Sequence, residues 1–505
     1  MKQYLIAHDL GTSGDKATLF DLDGRLLHSV THAYPTHFFN GNWAEQNPLD
    51  WWEAFCAGNQ QLLAGRDATQ VAAVSFSGQM MGCVLVDAQG LPVRPAIIWA
   101  DLRATHQAER FESAIGANAF YRITGHRASA SYSLAKLLWV RDHEPDVFQR
   151  AHRMLNAKDY LVYRLTGRFV TDYSDASGTN AFDLTGMDWS SAILEAAGID
   201  RALLPELHPS TDVVGEATAR TAAETGLAPG TPIVLGAGDG VCASTGAASV
   251  SPGVAYNYLG SSSWIAYTAP APVFDPQMRT FTWAHMVPGA YCPTGTMQAA
   301  GNSFTFVKQM LCDGLAMRAQ AAGGSVYAEM NELIKASPVG SRGLLFMPYL
   351  LGERSPRWNP LARGAYLGLT MEHTRADMLH AAVEGIALNL CIILDIFRRE
   401  QSIGPLHLIG GLAQSDSICR VLADVFGIDV VRMNHLEEAT SMGAAVCGGV
   451  GVGALAGFDS VHRFIQPEQT VPFAAETHDR YTAVKAVFEQ AYEALLPLFP
   501  KLAAL

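Results

Sequence analysis

YLIAHDLGTSGDKATLFDLDG, residues 4–24, reads as strand, turn, strand, turn. Tyr4 to Ala7 is a short apolar run, Asp9 to Gly14 (DLGTSG) is turn chemistry, Lys16 to Phe20 is apolar again, and Asp21 to Gly24 turns once more. The pattern predicts a β-hairpin followed by a further strand. From Val254 the plan returns: an apolar run (VAYNYL), a turn of small residues Gly260 to Ser263, and a second strand Trp264 to Tyr267. Aligning the turns puts Gly260 on Gly11, Ser261 on Thr12 and Ser262 on Ser13. The repeat predicts two related halves.

Between the hairpins, strand-like Val71 to Phe76 and Ile233 to Leu235 alternate with helical stretches such as Ser133 to Asp142, so the expected class is α/β. The break AASVSPG before the second hairpin places the domain boundary, giving residues 1–248 and 249–505. In the second half, Met378, Ala382, Ile386, Leu390 and Ile393 form a helical stripe across His373 to Glu400, with Thr374 and Asp377 placed as a helix start. The tail from Thr477 to Leu505 reads as a closing helix.

With 505 residues, 49% hydrophobic and 16% charged, the chain has apolar material for more than one core. Its formal charge of -13, without a basic patch, argues against nucleic acid and anionic membrane as partners. No run approaches the roughly 18 apolar residues of a membrane span. The eight cysteines are scattered without Cys-x-x-Cys or zinc-like spacing, and are expected as reduced thiols in a cytoplasmic protein.

No Gly-Lys dipeptide occurs, which excludes a Walker loop. The run Gly448 to Gly457 (GGVGVGALAG) follows a helix-like segment and reads as close helix packing rather than a dinucleotide fingerprint. What remains for a nucleotide are the two hairpin turns. Their glycines let backbone approach an anion, and the hydroxyls and N–H groups of Thr12, Ser13, Ser261 and Ser262 suit phosphate oxygens. Lys16 on the outgoing strand would add a point charge, or be an exposed strand lysine. Asp9 and Asp239 stand at strand ends beside Gly-rich turns. Asp239, before a helix expected from Gly240, has the position of an N-cap, and the helix dipole would keep it ionised. The same carboxylate is placed to accept a hydroxyl proton during phosphoryl transfer from ATP, with Mg²⁺ neutralising the phosphate. Such assistance is worth about 10²- to 10⁴-fold.

The chain resembles the FGGY carbohydrate kinases. Both signature regions are present, as Ser131 to His143 (SYSLAKLLWVRDH) and Gly364 to Glu384 (GAYLGLTMEHTRADMLHAAVE). Further matching stretches span nearly the whole chain: DLGTSGDK, NWAEQNPLDWW, SGQM, KDYLVYRLTG, SDASGTN, GERSPRWNP and IGGLAQS. They are most similar to those of the members that phosphorylate D-xylulose. The resemblance implies two actin-like, ribonuclease H-like domains around an interdomain cleft, with sugar bound mainly by the first and adenosine mainly by the second. It makes Asp239 the catalytic base and Asp9 the organiser of the Mg²⁺ waters, with Asp239 beside the same metal. It puts Thr12, Ser13, Lys16, Gly260 and Ser261 at phosphate-binding positions, Gly301 near the nucleotide, and Gly410, Gly411, Leu412 and Ser415 around the nucleoside. The implied partners are a small sugar and ATP, and the implied assembly is a homodimer.

Departures fall on the sugar site. Met-His is usual after SGQ and Asp-Asn at the catalytic loop; here the residues are Met80-Met81 and Asp239-Gly240. Two polar contacts are lost, and hydroxyl-bearing substrates are discriminated chiefly through such groups. An apolar Met81 would tolerate a deoxy position or a differently oriented hydroxyl, unless Gln79, Trp99, Asp101 or Arg103 supply equivalent contacts. D-xylulose is the first expectation, another ketose, deoxyketose or polyol the next. An actin-like ATPase would share the clasp but need no sugar pocket, against SGQMM and IIWADLR.

Overall fold

The computed structural model describes residues 2–321 and 323–505. The opening motif forms an antiparallel hairpin, Tyr4–Leu10 with Gly14–Asp21, and Leu26–Ala33 adds the third strand. The strands run further than the polar letters suggest. Asp9 pairs with Lys16 and Leu10 with Asp15, leaving only Gly11 to Ser13 as the turn. The reason is a buried polar pair, since His8 and Asp15 satisfy each other at 2.8 Å and neither is exposed.

Val71–Gly78 runs parallel to the opening strand, Pro232–Val234 parallel to Val71–Gly78, and Val213–Glu216 antiparallel at the edge. The second sheet repeats these directions. Ala255–Leu259 and Ser263–Tyr267 are the hairpin, Tyr291–Met297 its antiparallel neighbour, and Leu406–Ile409 and Val430–Met433 the parallel pair. Pro467–Val471 closes one edge antiparallel, and Phe281–Ala284 extends the other. The internal repeat read from two short turns is thus a repeat of whole sheets, in the two-domain actin-like, ribonuclease H-like architecture.

Two helices pack between the sheets, Asp239–Gly246 and Ala439–Gly451. They meet backbone to backbone: a Cβ on Gly246 would lie 1.7 Å from the Ala439 carbonyl oxygen, and one on Gly443 2.0 Å from that of Cys242. The glycines after Cys447 serve the same end. A Cβ on Gly448 would press on Ser75 at 2.9 Å and one on Gly451 on the Thr211 carbonyl at 2.4 Å. Close packing, the sequence reading of the run Gly448 to Gly457, holds for Gly448, Gly449 and Gly451, whereas a Cβ on Gly453 or Gly457 would meet nothing within 4 Å.

The apolar stripe is the helix Arg375–Arg398, started by the expected capping box of Thr374 and Asp377. Its length and mean hydropathy of 1.7 would suit a membrane span, but 94% of that window is buried in the second core. The expected closing helix is two, Ala475–Leu495 and Phe499–Ala503, because Pro497 offers no N–H to continue the first. All eight cysteines are free.

Candidate active site

Strand Ala237–Gly238 lies parallel to Val71–Gly78 and ends where the helix Asp239–Gly246 begins. The expected N-cap role for Asp239 is overturned: Gly238 holds the cap position, no side chain caps the helix, and Asp239 is its first residue. Its Oδ1 accepts the Gly240 N–H at 2.7 Å. Glycine is needed before it, because a Cβ on Gly238 would sit 2.5 Å from the Met80 side chain.

Behind this junction the stretches KDYLVYRLTG and SDASGTN meet. The Gly238 N–H donates to Ser174 Oγ at 2.9 Å, and the Ser174 hydroxyl donates to Asp172 at 2.5 Å. Lys158 lies 2.8, 2.9 and 3.2 Å from Asp159, Asp172 and Asp175, all of them buried. Burial opposes the Lys158 cation, but the three carboxylates outweigh it and hold its pKa well above the usual value. The cluster fixes the backbone that presents Asp239.

The helix dipole does not keep Asp239 ionised, a second correction. Burial, and then the charge of Asp9, push its pKa up to about 7, against the pull of the Gly240 N–H. Desolvation exceeds what one short helix terminus supplies. Asp9 is also raised, by burial, although Thr440 and Ser77 favour its charged form. Its Oδ2 accepts from Thr440 at 2.5 Å and its Oδ1 from Ser77 at 2.8 Å.

Three adjoining cavities line the cleft. The first, about 150 Å³, is walled by Met80, Met81, Trp99, Asp239 and Gly240 from the first half and by Tyr256, Ser262, Trp264, Phe281, Trp283, Thr294, Thr296 and Arg354 from the second. The second, about 410 Å³, brings Asp9, Gly11, Lys16 and Asp239 against Tyr258, Gly410, Gly411, Glu437 and Thr440. The third, about 540 Å³, contains Gly260, Ser261, Gly301, Asn302, Tyr327, Gly411, Leu412 and Ser415. Its glycines are forced. A Cβ on Gly301 would lie 2.4 Å from the Gly260 carbonyl oxygen, and Gly410 has φ +92° with the Leu259 carbonyl 2.7 Å from where a Cβ would be. Ser415 does start a helix, but its hydroxyl is committed to the Ile418 N–H and to Asn331, leaving backbone to face the cavity.

Several expected contacts are displaced. Gln79 is buried behind the first cavity, donating to Gln46 at 2.8 Å. Asp101 is fully buried too, accepting the Ala44 N–H at 2.6 Å and pairing with Arg103 at 2.7 Å. Arg103 is spent as well, its guanidinium 3.8 Å from the Trp43 ring centroid. Thr12 and Ser13 do not line the second cavity; the Thr12 hydroxyl accepts the Trp99 indole N–H at 2.9 Å, tying the first turn to the first cavity. Lys16 reaches across to the Glu437 carbonyl at 2.8 Å. The first cavity is walled by residues of both halves. Of its second-half wall, Tyr256, Ser262 and Trp264 lie in the second hairpin and Arg354 in GERSP, while Phe281, Trp283, Thr294 and Thr296 carried no local motif.

Models of the N-terminal and C-terminal domains of the FGGY family of carbohydrate kinases match residues 4–246 and 255–452. The chain belongs to the FGGY family. A xylulose kinase of Staphylococcus epidermidis is 32% identical over 98% of this chain and 97% of its own. A gluconokinase of Bacillus subtilis is 29% identical over 100% of this chain and 96% of its own. Among solved structures, the ligand-bound xylulose kinase from Lactobacillus acidophilus superposes with a TM-score of 0.92, at 26% identity, covering 99% of each chain. As an FGGY protein the chain is an ATP-dependent carbohydrate kinase, acting on a small-molecule sugar and ATP. The similarities reach xylulose kinases and gluconokinases alike, so they stop short of one acceptor.

Proposed function

We propose that the protein transfers the γ-phosphate of ATP to a hydroxyl of one small acceptor held in the 150 Å³ cavity, with Asp239 as general base. The observation carrying this is that Asp239 lines both that cavity and the one lined by Asp9, Gly11 and Lys16. A carboxylate at the junction of acceptor and phosphate is where in-line transfer needs a base, and a pKa near working pH suits that work. The acceptor cavity is the smallest of the three, which suits a small polyhydroxy molecule.

The nucleoside belongs in the 540 Å³ cavity, against the backbone of Gly411, Leu412 and Ser415, with Gly260, Ser261 and Gly301 toward its phosphates. Lys16, with the first turn behind it, faces the phosphates from the other half. Among the described residues no group of three or more His, Cys, Asp or Glu makes a metal cage. That fits Mg²⁺, which keeps most of its waters and binds through phosphates and one or two carboxylates; Asp9, with Asp239 beside it, is the residue to hold those waters. When bound, Mg²⁺ neutralises charge on the phosphates. Residues 1–248 and 249–505 act as the two jaws, whose closure excludes water as a competing nucleophile.

D-xylulose is the acceptor favoured by the sequence motifs; the gluconokinase relative supports a sugar acid. A coupled ADP-release assay over ketopentoses, deoxyketoses, polyols and sugar acids, comparing kcat/KM, tests the reading. Asp239→Ala is expected to lose activity by orders of magnitude while nucleotide affinity stays nearly intact. Retention of a tenth of wild-type turnover would remove Asp239 as the base, and ATPase indifferent to every acceptor would remove the sugar kinase reading.

A further inference from the structure

One polar side chain in the 540 Å³ cavity is fixed by the protein and still has donors to spare. Asn331, on the helix Val326–Ala336, meets the start of the helix Asp416–Phe426 at two points. The Ser415 hydroxyl donates to Asn331 Oδ1 at 2.6 Å, and the Ser417 hydroxyl to the Asn331 backbone carbonyl at 3.2 Å. The first bond decides which way the amide faces. Ser415 Oγ already accepts the Ile418 N–H at 3.2 Å, so its own proton needs an acceptor, and of an amide only the carbonyl end accepts. Asn331 therefore keeps Oδ1 on Ser415, and its Nδ2 is left with two N–H groups that have no partner among the described residues.

The polar groups around it are used or loose. Ser325 Oγ accepts the Tyr327 N–H at 3.2 Å as a helix cap, and the exposed Tyr327 hydroxyl accepts Lys308 Nζ at 2.8 Å. Asn302, Thr305 and Gln414 are exposed, so binding through them would cost the side-chain freedom that Asn331 has already given up. Position then assigns the ligand group. Gly411 and Glu437 line both this cavity and the one holding Asp9 and Lys16, so the phosphate chain passes on that side. Asn331 and Ser415 line the 540 Å³ cavity alone of the three, among Phe304, Leu412 and Ile418, whose apolar surfaces suit a flat ring.

We propose that Asn331 reads the base of the nucleotide, its Nδ2 donating to a ring nitrogen of the purine, with Ser415 as the positioning residue that fixes the amide. The proposal rests on the placement of the nucleoside given above and names the residue and the kind of base atom that recognise each other. The ring nitrogens N1, N3 and N7 of adenine are acceptors, whereas its exocyclic amine is a donor and has no acceptor in Nδ2.

Deaza analogues of ATP test it, because replacing N1, N3 or N7 by C–H deletes one acceptor and leaves phosphates, ribose and ring shape in place. Titration calorimetry on the full chain with ATP and with the 1-, 3- and 7-deaza analogues needs no acceptor sugar. One analogue is expected to bind about three- to tenfold more weakly than ATP, the effect of a single hydrogen bond. Asn331→Asp keeps an acceptor for Ser415 and loses the donor, and Asn331→Leu loses both without adding charge; the preference for ATP over that analogue should vanish in each, with thermal melting confirming that both are folded. Ser415→Ala should shrink the preference and Ser415→Thr restore it, and an unchanged preference in Ser415→Ala would remove the positioning role. The proposal is overturned if all three analogues bind like ATP, or if the preference survives in either Asn331 variant. A chain that binds ATP and releases ADP while discriminating no analogue loses this role for Asn331 and remains a kinase. A chain that binds no ATP overturns both readings.

Discussion

Thr440 donates its hydroxyl to the Asp9 carboxylate at 2.5 Å, joining residues 431 positions apart across the cleft. Together with the Lys16 contact to Glu437, it ties the first turn to the helix Ala439–Gly451. A hydrogen bond to a charged group is worth about 1.5–3 kcal/mol. Thr440→Val is therefore expected to lower turnover by roughly tenfold or more and to raise the Mg²⁺ concentration needed for half-maximal rate. Unchanged Mg²⁺ dependence would mean that Thr440 only packs.

Asp239 titrates near pH 7 because burial and Asp9 disfavour its charge. A base must be unprotonated, so kcat/KM is expected to climb with pH toward about 7 and level off above it. Asp9→Asn removes one cause of the raised pKa, and the limb should move to lower pH in whatever activity remains.

The same shift has a stability consequence of defined sign. Between the unfolded pKa of 3.8 and the folded value of about 7, the folded state binds more protons at Asp239, so this residue makes stability fall as pH rises through that window. Asp239→Asn cannot ionise. At pH 8 without nucleotide it should melt above wild type, although nearly inactive, whereas at pH 4 the two should converge. Thermal denaturation at both pH values reads the difference.

Met81 is held with φ +65°, a left-handed conformation that costs a non-glycine residue about 1–3 kcal/mol. Lys136, buried in the first signature region, donates Nζ to the Met81 carbonyl at 2.8 Å and also to that of Ser131. Lys136→Met should release Met81 and raise the acceptor KM several-fold while the ATP KM stays constant. Equal change in both constants would point to general loosening instead.

Gly301 touches the Gly260 carbonyl, where a Cβ would stand 2.4 Å away. Gly301→Ala must shift the second turn, and the ATP KM is expected to rise at least tenfold with acceptor affinity preserved. Fluorescent-nucleotide binding gives the direct check.

Local sequence carried a large part of the architecture. Short apolar runs around DLGTSG and GSSS located both hairpins, and Thr374 with Asp377 located the start of the core helix, because turns and caps are decided within a few residues. Where local chemistry competed with packing, it misled. Asp9 and Leu10 look like turn residues, but pairing with Lys16 and Asp15 keeps them in the ladder. Asp101 and Gln79 look like sugar ligands, but Asp101 is taken up by the Ala44 N–H and Arg103, and the Gln79 amide N–H by Gln46, away from the first cavity's wall. Trp264, Trp283 and Arg354 enter the acceptor cavity from strands and loops distant from SGQMM and LGAGDG, and no spacing within the chain announces that meeting.

The sequence alone thus determined the class and the duplicated hairpins and singled out Asp239 as the base proposed above, since each depends on residue type and on neighbours a few positions away. Tertiary structure decided the charge state of Asp239 and the membership of the acceptor wall. Those are set by which groups are taken out of water together, and desolvation is a property of the assembled cleft rather than of any one segment.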